Sequence, residues 1–325
     1  MLLLEPETGG VLGILTVPVS WAKQGNPCGK RSLPVSFHYT LMMIPGFVWL
    51  ILFSIVPMVG IVMAFQNFNP GKGIFGSEWV GLDNFIYLTR MGDVPRIIRN
   101  TLVIAIGKLI LNIVVPLVFA ILLNECKNVG YKKVVQTIVY LPHFISWVIL
   151  ANICMNIFGY FGIFNQITGL FGAEPKMWLN DPNLFQGFMI GTDVWKEFGY
   201  NAVIYLAALT GISPNLYEAA AIDGASRWQS IKSITIPSLI PTVVLLATLA
   251  MGNVLNAGFD QVFNMYSAVT YSTGDIIDTY VYRIGITNMQ YSLATAVGLF
   301  KSVVSFTLIT VSYVLAYKFA DYTIF

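Results

Sequence analysis

Few side chains in this sequence are of the kinds that do covalent or metal chemistry, and their spacing is wrong for it. His38 and His143 stand far apart, so neither an HExxH pair nor any other ligand cluster forms from them, and both read as interfacial or packed side chains. Cys28, Cys126 and Cys154 are isolated, which indicates neither a disulfide framework nor a zinc site. GKGIFG (Gly71–Gly76) has the spacing of a dinucleotide fingerprint but follows an apolar span instead of a strand, so it reads as a flexible turn. GNPCGKR (Gly25–Arg31) has three residues between its glycines where a phosphate loop needs four, and Arg31 where the magnesium-binding hydroxyl belongs. With no paired carboxylates and no Ser-His-Asp set, the chain is expected to be no enzyme and to bind no cofactor itself.

The remaining chemistry is polar groups embedded in apolar sequence. Asn253 and Asn256 are three apart, hence on one helix face, with Asp260 just beyond. Amides beside tyrosine and tryptophan suit a sugar, whose hydroxyls need donors and acceptors and whose ring faces stack on aromatics. The same amides could serve only interhelical hydrogen bonds, worth about 0.6 kcal/mol each. Lys108 is the other candidate, because a lysine at the centre of a membrane helix costs about 2.5–3.5 kcal/mol. It can attract an acidic sugar, snorkel to the interface, or pair with a carboxylate.

The elements that must position these groups are membrane helices. Of 325 residues, 56% are hydrophobic and 10% charged, against roughly 25% charged in soluble domains, and the mean hydropathy is +0.71. The net charge of +2 is too small to suggest a nucleic-acid partner. Six spans are expected in an all-α, polytopic fold: 39–65, 101–123, 134–158, 184–209, 238–258 and 291–317. Residues 66–100 and 259–290 read as long loops. Most aromatics, such as Trp49, Trp147 and Phe158, read as lipid-facing or interfacial belt residues. Asp193, Lys196 and Glu197 suggest that the fourth span begins at an interface or faces a wet cavity. Residues 1–36 form an N-terminal cytoplasmic extension, because the apolar run Val11–Val19 is too short to cross and its basic residues follow it; residues 37–325 form the transmembrane domain.

Orientation follows from the basic residues. With both termini in the cytoplasm, nine Lys or Arg lie inside and seven outside, a small margin, but Asn124–Lys133 packs Lys127, Lys132 and Lys133 beside the membrane.

One polar interval breaks the apolar pattern, SPNLYEAAAIDGASRWQSIKSITIPSLIP (Ser213–Pro241), on the cytoplasmic side of that topology. Ser213 is placed to cap a helix through its hydroxyl, with Pro214 at the first helical position and Gly224 as the stop. Ala225, Trp228, Ile231 and Ile234 recur at spacing three, which predicts a second short helix, closed by Pro237 and Pro241 before the fifth span.

The run Glu218, Ala219, Ala220, Asp223, Gly224, Ala225, Ile234, Pro237 resembles the cytoplasmic EAA loop (213–237) of the membrane subunits of ABC importers; Ile236 stands where that family usually has Leu. WVGLDNF (Trp79–Phe85), with Asn100 and Thr101, is similar to the carbohydrate-uptake branch of the family, and Tyr131–Val148 and Asn201–Ser226 are similar to its oligosaccharide and polysaccharide importers. The long N-terminal extension is similar to that of permeases of bacterial alginate importers. The resemblance implies a type I importer transmembrane domain in a bacterial cytoplasmic membrane, working by alternating access. It implies as partners a second permease, two ATP-binding cassette subunits that carry the ATP and magnesium, and an extracytoplasmic solute-binding protein. Oligosaccharides, acidic ones such as alginate fragments among them, would be the cargo. Glu218, Ala219, Ala220, Asp223, Gly224, Ala225, Trp228 and Ile231 would couple the ATPase to the spans: the alanines by permitting close approach, Trp228 and Ile231 as an apolar anchor, and Glu218 and Asp223 by pairing charges. Within such an assembly the carboxylate expected for Lys108 is one on the partner permease.

The alternative from another class is an ion-gradient-driven carrier of a polar solute, which calls for intramembrane carboxylates or an inverted repeat. The spans hold few central acids and no repeat is visible.

Overall fold

The computed structural model describes residues 35–252 and 254–320, so residues 1–34 of the expected extension and Asn253 lie outside the described residues. The chain divides into two units, one up to Val56 and the other from Pro57 onward. The first holds helix α1 (Val35–Leu50), which contains Pro45, and a π turn at Ile51–Ile55. Its sequence is apolar all round, as expected of a helix whose solvent is lipid.

The second unit begins with a 3₁₀ segment, Val59–Phe65, and a two-stranded antiparallel ribbon. Its strands, β1 (Gln66–Asn67) and β2 (Glu78–Trp79), pair Gln66 opposite Trp79, and the ring of Trp79 stacks on Phe65 at 5.7 Å. Helix α2 (Asp83–Arg90) and the start of α3 (Asp93–Asn124) fill what reads in the sequence as loop. The second span therefore begins at Asp93, eight residues before Thr101, because Asp93 favours a helix N-terminus.

The expected third span is not one helix. Helix α4 (Val129–Tyr140) runs into a 3₁₀ turn at Leu141–Phe144, and α5 (Trp147–Phe158) starts afresh with Ser146 accepting from the Ile149 amide at 3.4 Å. Pro142 supplies the reason, since it has no N–H for an α-helical bond. Helix α6 (Ile163–Gly169) follows, then α7 (Pro182–Thr210), capped by the Asp181 carboxylate on the Asn183 amide at 3.0 Å.

Helix α8 (Pro214–Ile222) is the short polar helix that the sequence predicts. Beyond it, α9 runs without interruption from Arg227 to Met251. The separate second helix is thus a correction: the chain passes through a π segment at Ile231–Thr235 directly into the span, and Pro241 lies inside it. A π turn just ahead of Pro237 accommodates the imide, which has no hydrogen to give. The span ends at Met251 instead of residue 258. Helices α10 (Phe259–Met265) and α11 (Ile277–Tyr282) then occupy the expected loop, and α12 (Tyr291–Ala320) is the last span.

Five described helical stretches are long and apolar enough to cross a membrane: Tyr39–Phe65, Asp93–Asn124, Trp147–Gly169, Arg227–Met251 and Tyr291–Val314. A count of six is reached only with α7, whose 29 residues would span about 43 Å but whose Asp193, Lys196 and Glu197 depress its hydropathy.

Helices α3 and α7 pack on one another more extensively than any other pair. Gly107 permits this, since a Cβ there would collide with the Ile190 side chain. Gly199 likewise lets α7 approach the Val139 carbonyl of α4. One apolar cluster gathers Ile104, Leu150, Phe185, Met189, Val262 and Ile276; a second lies around Leu88, Ile97, Tyr280 and Val297; a third around Ala120, Tyr205 and Leu239. Within 266–283, Thr270, Ile276, Ile277 and Tyr280 are thus core and not part of a surface loop. Side-chain bonds to backbone hold this segment: the Asn100 amide donates to the Ser272 carbonyl at 3.1 Å, and Thr101 Oγ1 accepts from the Ile277 amide at 2.9 Å.

Candidate functional site

The polar loop at 213–237 has a defined shape. Helix α8 ends in a two-bond stop: the Gly224 amide donates to the Ala221 carbonyl at 3.1 Å and the Ala225 amide to Ala220 at 2.9 Å, with Gly224 left-handed at φ 79°. Ser226 then caps α9 reciprocally, accepting from the Gln229 amide at 3.4 Å while its own amide donates to Gln229 Oε1 at 2.7 Å. At the other end of α8, Ser213 has extended backbone angles but no side-chain capping bond among the described residues, contrary to expectation; Pro214 holds the first position. The Tyr217 hydroxyl meets Thr235 Oγ1 at 2.9 Å and fastens α8 to the π segment of α9. Between these fixed ends, Glu218, Ala219, Asp223 and Gly224 are exposed, while Ala220, Ala225 and Ile231 are half-buried. Trp228 is 71% exposed and Ile222 87%. Ile222 is the residue that sequence reasoning passed over; its signal was an apolar side chain at the end of an otherwise small-residue helix.

At membrane depth, a cavity of about 430 Å3 is bounded by Lys108, Asn112, Asp193, Asn201, Asn256 and Gly258. Lys108 is buried and pairs with Asp193 at 3.1 Å, so its carboxylate partner lies within its own chain, on α7, and not on another subunit. It also donates to the Ala257 carbonyl at 2.7 Å and to Gln261 Oε1. Asn112 donates to the other Asp193 oxygen at 2.8 Å. Asn253, expected to share a helix face with Asn256, lies outside the described residues, and Asn256 itself is on no helix, because α9 has ended and the chain is irregular through 254–258. Asn256 is exposed and accepts from Lys301, which also grips Asp278 at 2.6 Å. Asp260 opens α10 on an exposed face, and its carbonyl accepts from Asn264. The structure therefore brings Lys108 and Asn256 to one cavity and leaves Asp260 outside its lining.

A second polar group sits at the break between α4 and α5. His143 stacks flat on Tyr200 with centroids 3.9 Å apart and bonds Glu197 at 2.7 Å, and Lys196 donates to Glu197 and to the His143 carbonyl, both at 2.8 Å. In the segment before α12, buried Asp275 pairs with Arg283, whose guanidinium lies 4.5 Å from the Tyr271 ring centroid. Burial, and next the neighbouring Tyr271, push the Tyr266 phenol up to about 12, so it remains a hydrogen-bond donor at any physiological pH. The described residues contain no cluster of His, Cys, Asp and Glu able to hold a metal ion.

A helical membrane domain with a structured polar loop between its fourth and fifth long helices, and with polar groups lining a cavity at membrane depth, is the form of a transport permease. Residues 113–321 match the family described as the binding-protein-dependent transport system inner membrane component, and the chain belongs to that family. It is 40% identical over 280 residues to the protein LplB of Bacillus subtilis, covering 86% of this chain and 88% of that one. It is also 40% identical over 284 residues to the polygalacturonan/rhamnogalacturonan transport system permease protein YteP of the same organism, with the same coverage. Among solved structures it is similar to a bacterial ABC transporter involved in the import of the acidic polysaccharide alginate, with a TM-score of 0.81 and 35% identity over 87% of this chain and 96% of that chain. A second structure of such a transporter, in complex with an alginate pentasaccharide-bound periplasmic protein, matches with a TM-score of 0.80. Membership in this family sets aside the ion-gradient-driven reading.

Proposed function

We propose that this chain is one of two permease subunits of an ATP-driven importer that receives oligosaccharides, acidic ones among them, from an extracytoplasmic binding protein. Its relatives support the cargo: one is a polygalacturonan/rhamnogalacturonan transport system permease, and a structural neighbour is involved in the import of the acidic polysaccharide alginate. ATP and magnesium would belong to two separate ATPase subunits. Both termini lie in the cytoplasm on this reading, which puts α8 there too.

The observation that carries the proposal is the shape of 213–237. Exposed Ile222 at the end of α8 and exposed Trp228 in the first turn of α9 offer an apolar surface that a groove on the ATPase can cover. Glu218 and Asp223 flank it with charge, and Ala219 and Ala220 let the partner approach closely. Closure of the ATPase pair would then push α8, and Tyr217 and the uninterrupted α9 would carry the displacement into the spans. Cargo would pass along the cavity edged by Lys108 and Asn256.

Gly224→Asp tests the coupling. The variant should insert at normal levels yet lose cargo-stimulated ATP hydrolysis by the complete complex, measured in proteoliposomes with binding protein present. Full stimulated turnover in that variant removes the coupling role from this loop.

A further inference from the structure

Lys108 has three N–H donors, and three acceptors of its own chain surround it: the Asp193 carboxylate, the Ala257 carbonyl and Gln261 Oε1. Gln261 turns its amide hydrogens back onto α7, to the Met189 carbonyl and Thr192 Oγ1, each at 2.8 Å. Helix α3, helix α7, the irregular stretch after α9 and helix α10 therefore meet at one ammonium group. The stretch is folded around that group. Gly258 is left-handed at φ 92°, and a Cβ there would stand 2.7 Å from Lys108 Nζ. Asn256, which edges the cavity, is one residue from the carbonyl that Lys108 holds.

We propose that Lys108 is a positioning residue. It fixes residues 254–258 where α9 stops, so that Asn256 is presented to the cavity, and it does not select the charge of the cargo. A cation with its donors filled and a carboxylate at 3.1 Å offers little attraction to a second anion. Such an anchor suits the break after α9, because irregular backbone at membrane depth is tolerated only where it is buried in protein or lines a water-filled cavity. The cargo arm of the test below rests on the saccharide-import reading; the anchoring arm does not.

Hydrogen–deuterium exchange on the complete complex in lipid nanodiscs reads the anchoring directly. Amides of 254–262 should exchange at least about tenfold faster in Lys108→Met than in the wild type, and Gly258→Ala, which displaces the ammonium without removing it, should match. Should Lys108→Met fail to insert because Asp193 is left half-buried without its cation, Lys108→Met/Asp193→Leu removes both charges and should show the same fast exchange. Wild-type exchange in whichever of these variants inserts overturns the proposal. In transport, half-saturation by a uronate trisaccharide and by a neutral trisaccharide should both rise about tenfold in the lysine variants, with maximal rates reduced less than twofold. A loss confined to the uronate, or a fall in maximal rate without a change in half-saturation, overturns it as well. If the wild type moves neither saccharide, the import reading fails and the exchange result alone decides the anchoring.

Discussion

At Gly224 the backbone turns left-handed with nothing within 4 Å of where a Cβ would be, so the constraint is conformational and not one of space. An L-residue there costs about 1–2 kcal/mol, which would fray the last turn of α8 without unfolding the spans. This separates the loop's shape from its surface. Ile222→Ser leaves the stop intact but removes an 87% exposed apolar side chain. The expected outcome is weaker retention of the ATPase subunits on purification, by about tenfold in affinity, on the scale of one lost apolar contact. Retention equal to wild type would place the docking surface elsewhere. Glu218, Ala219, Ala220 and Gly224 were legible as a set in the sequence because their types and spacing are unusual together. Gln261 was not, since nothing in a linear reading distinguishes a glutamine that completes a lysine's bonds from one facing water.

At the scale of elements, the junction between α8 and α9 is where the proposed coupling would transmit force, because both of its sides are bonded. The reciprocal cap of Ser226 and Gln229 starts a helix that then has no break before Met251. Ser226→Ala should cost about 1 kcal/mol locally and lower cargo-stimulated ATPase activity several-fold without changing the amount of complex recovered. An unchanged stimulation would show that α9 is driven from further along its length. In the sequence, Pro237 and Pro241 read as the close of a short second helix. They close none, because a π turn removes the carbonyl conflict upstream and membrane helices tolerate the remaining missing bond. Pro142, inside what reads as a single span, does end a helix.

For the whole molecule, the segment from Phe259 to Thr287 is the largest difference between reading and structure. Its apolar residues complete two of the three cores, and Asp275, 1% exposed at its side chain, pairs with Arg283 inside it. Asp275→Ala should therefore destabilise the protein, by less than the roughly 3–5 kcal/mol of a fully buried pair because the Arg283 left behind is 25% exposed at its side chain, seen as a lowered thermal midpoint in detergent. A midpoint within a degree of the wild type would mean that this pair is not part of the folded core.

By itself the sequence determined the membrane class, the long helices and the polar loop, because hydrophobic length and an unusual run of small, acidic and turn residues are local properties. Only the tertiary structure decided where α9 ends, that 259–287 supplies core residues such as Val262, Ile276 and Tyr280, and that Lys108 is satisfied by Asp193, Ala257 and Gln261. Those outcomes depend on partners 85 to 153 residues away in the chain, and no local pattern encodes which distant group will satisfy a buried charge.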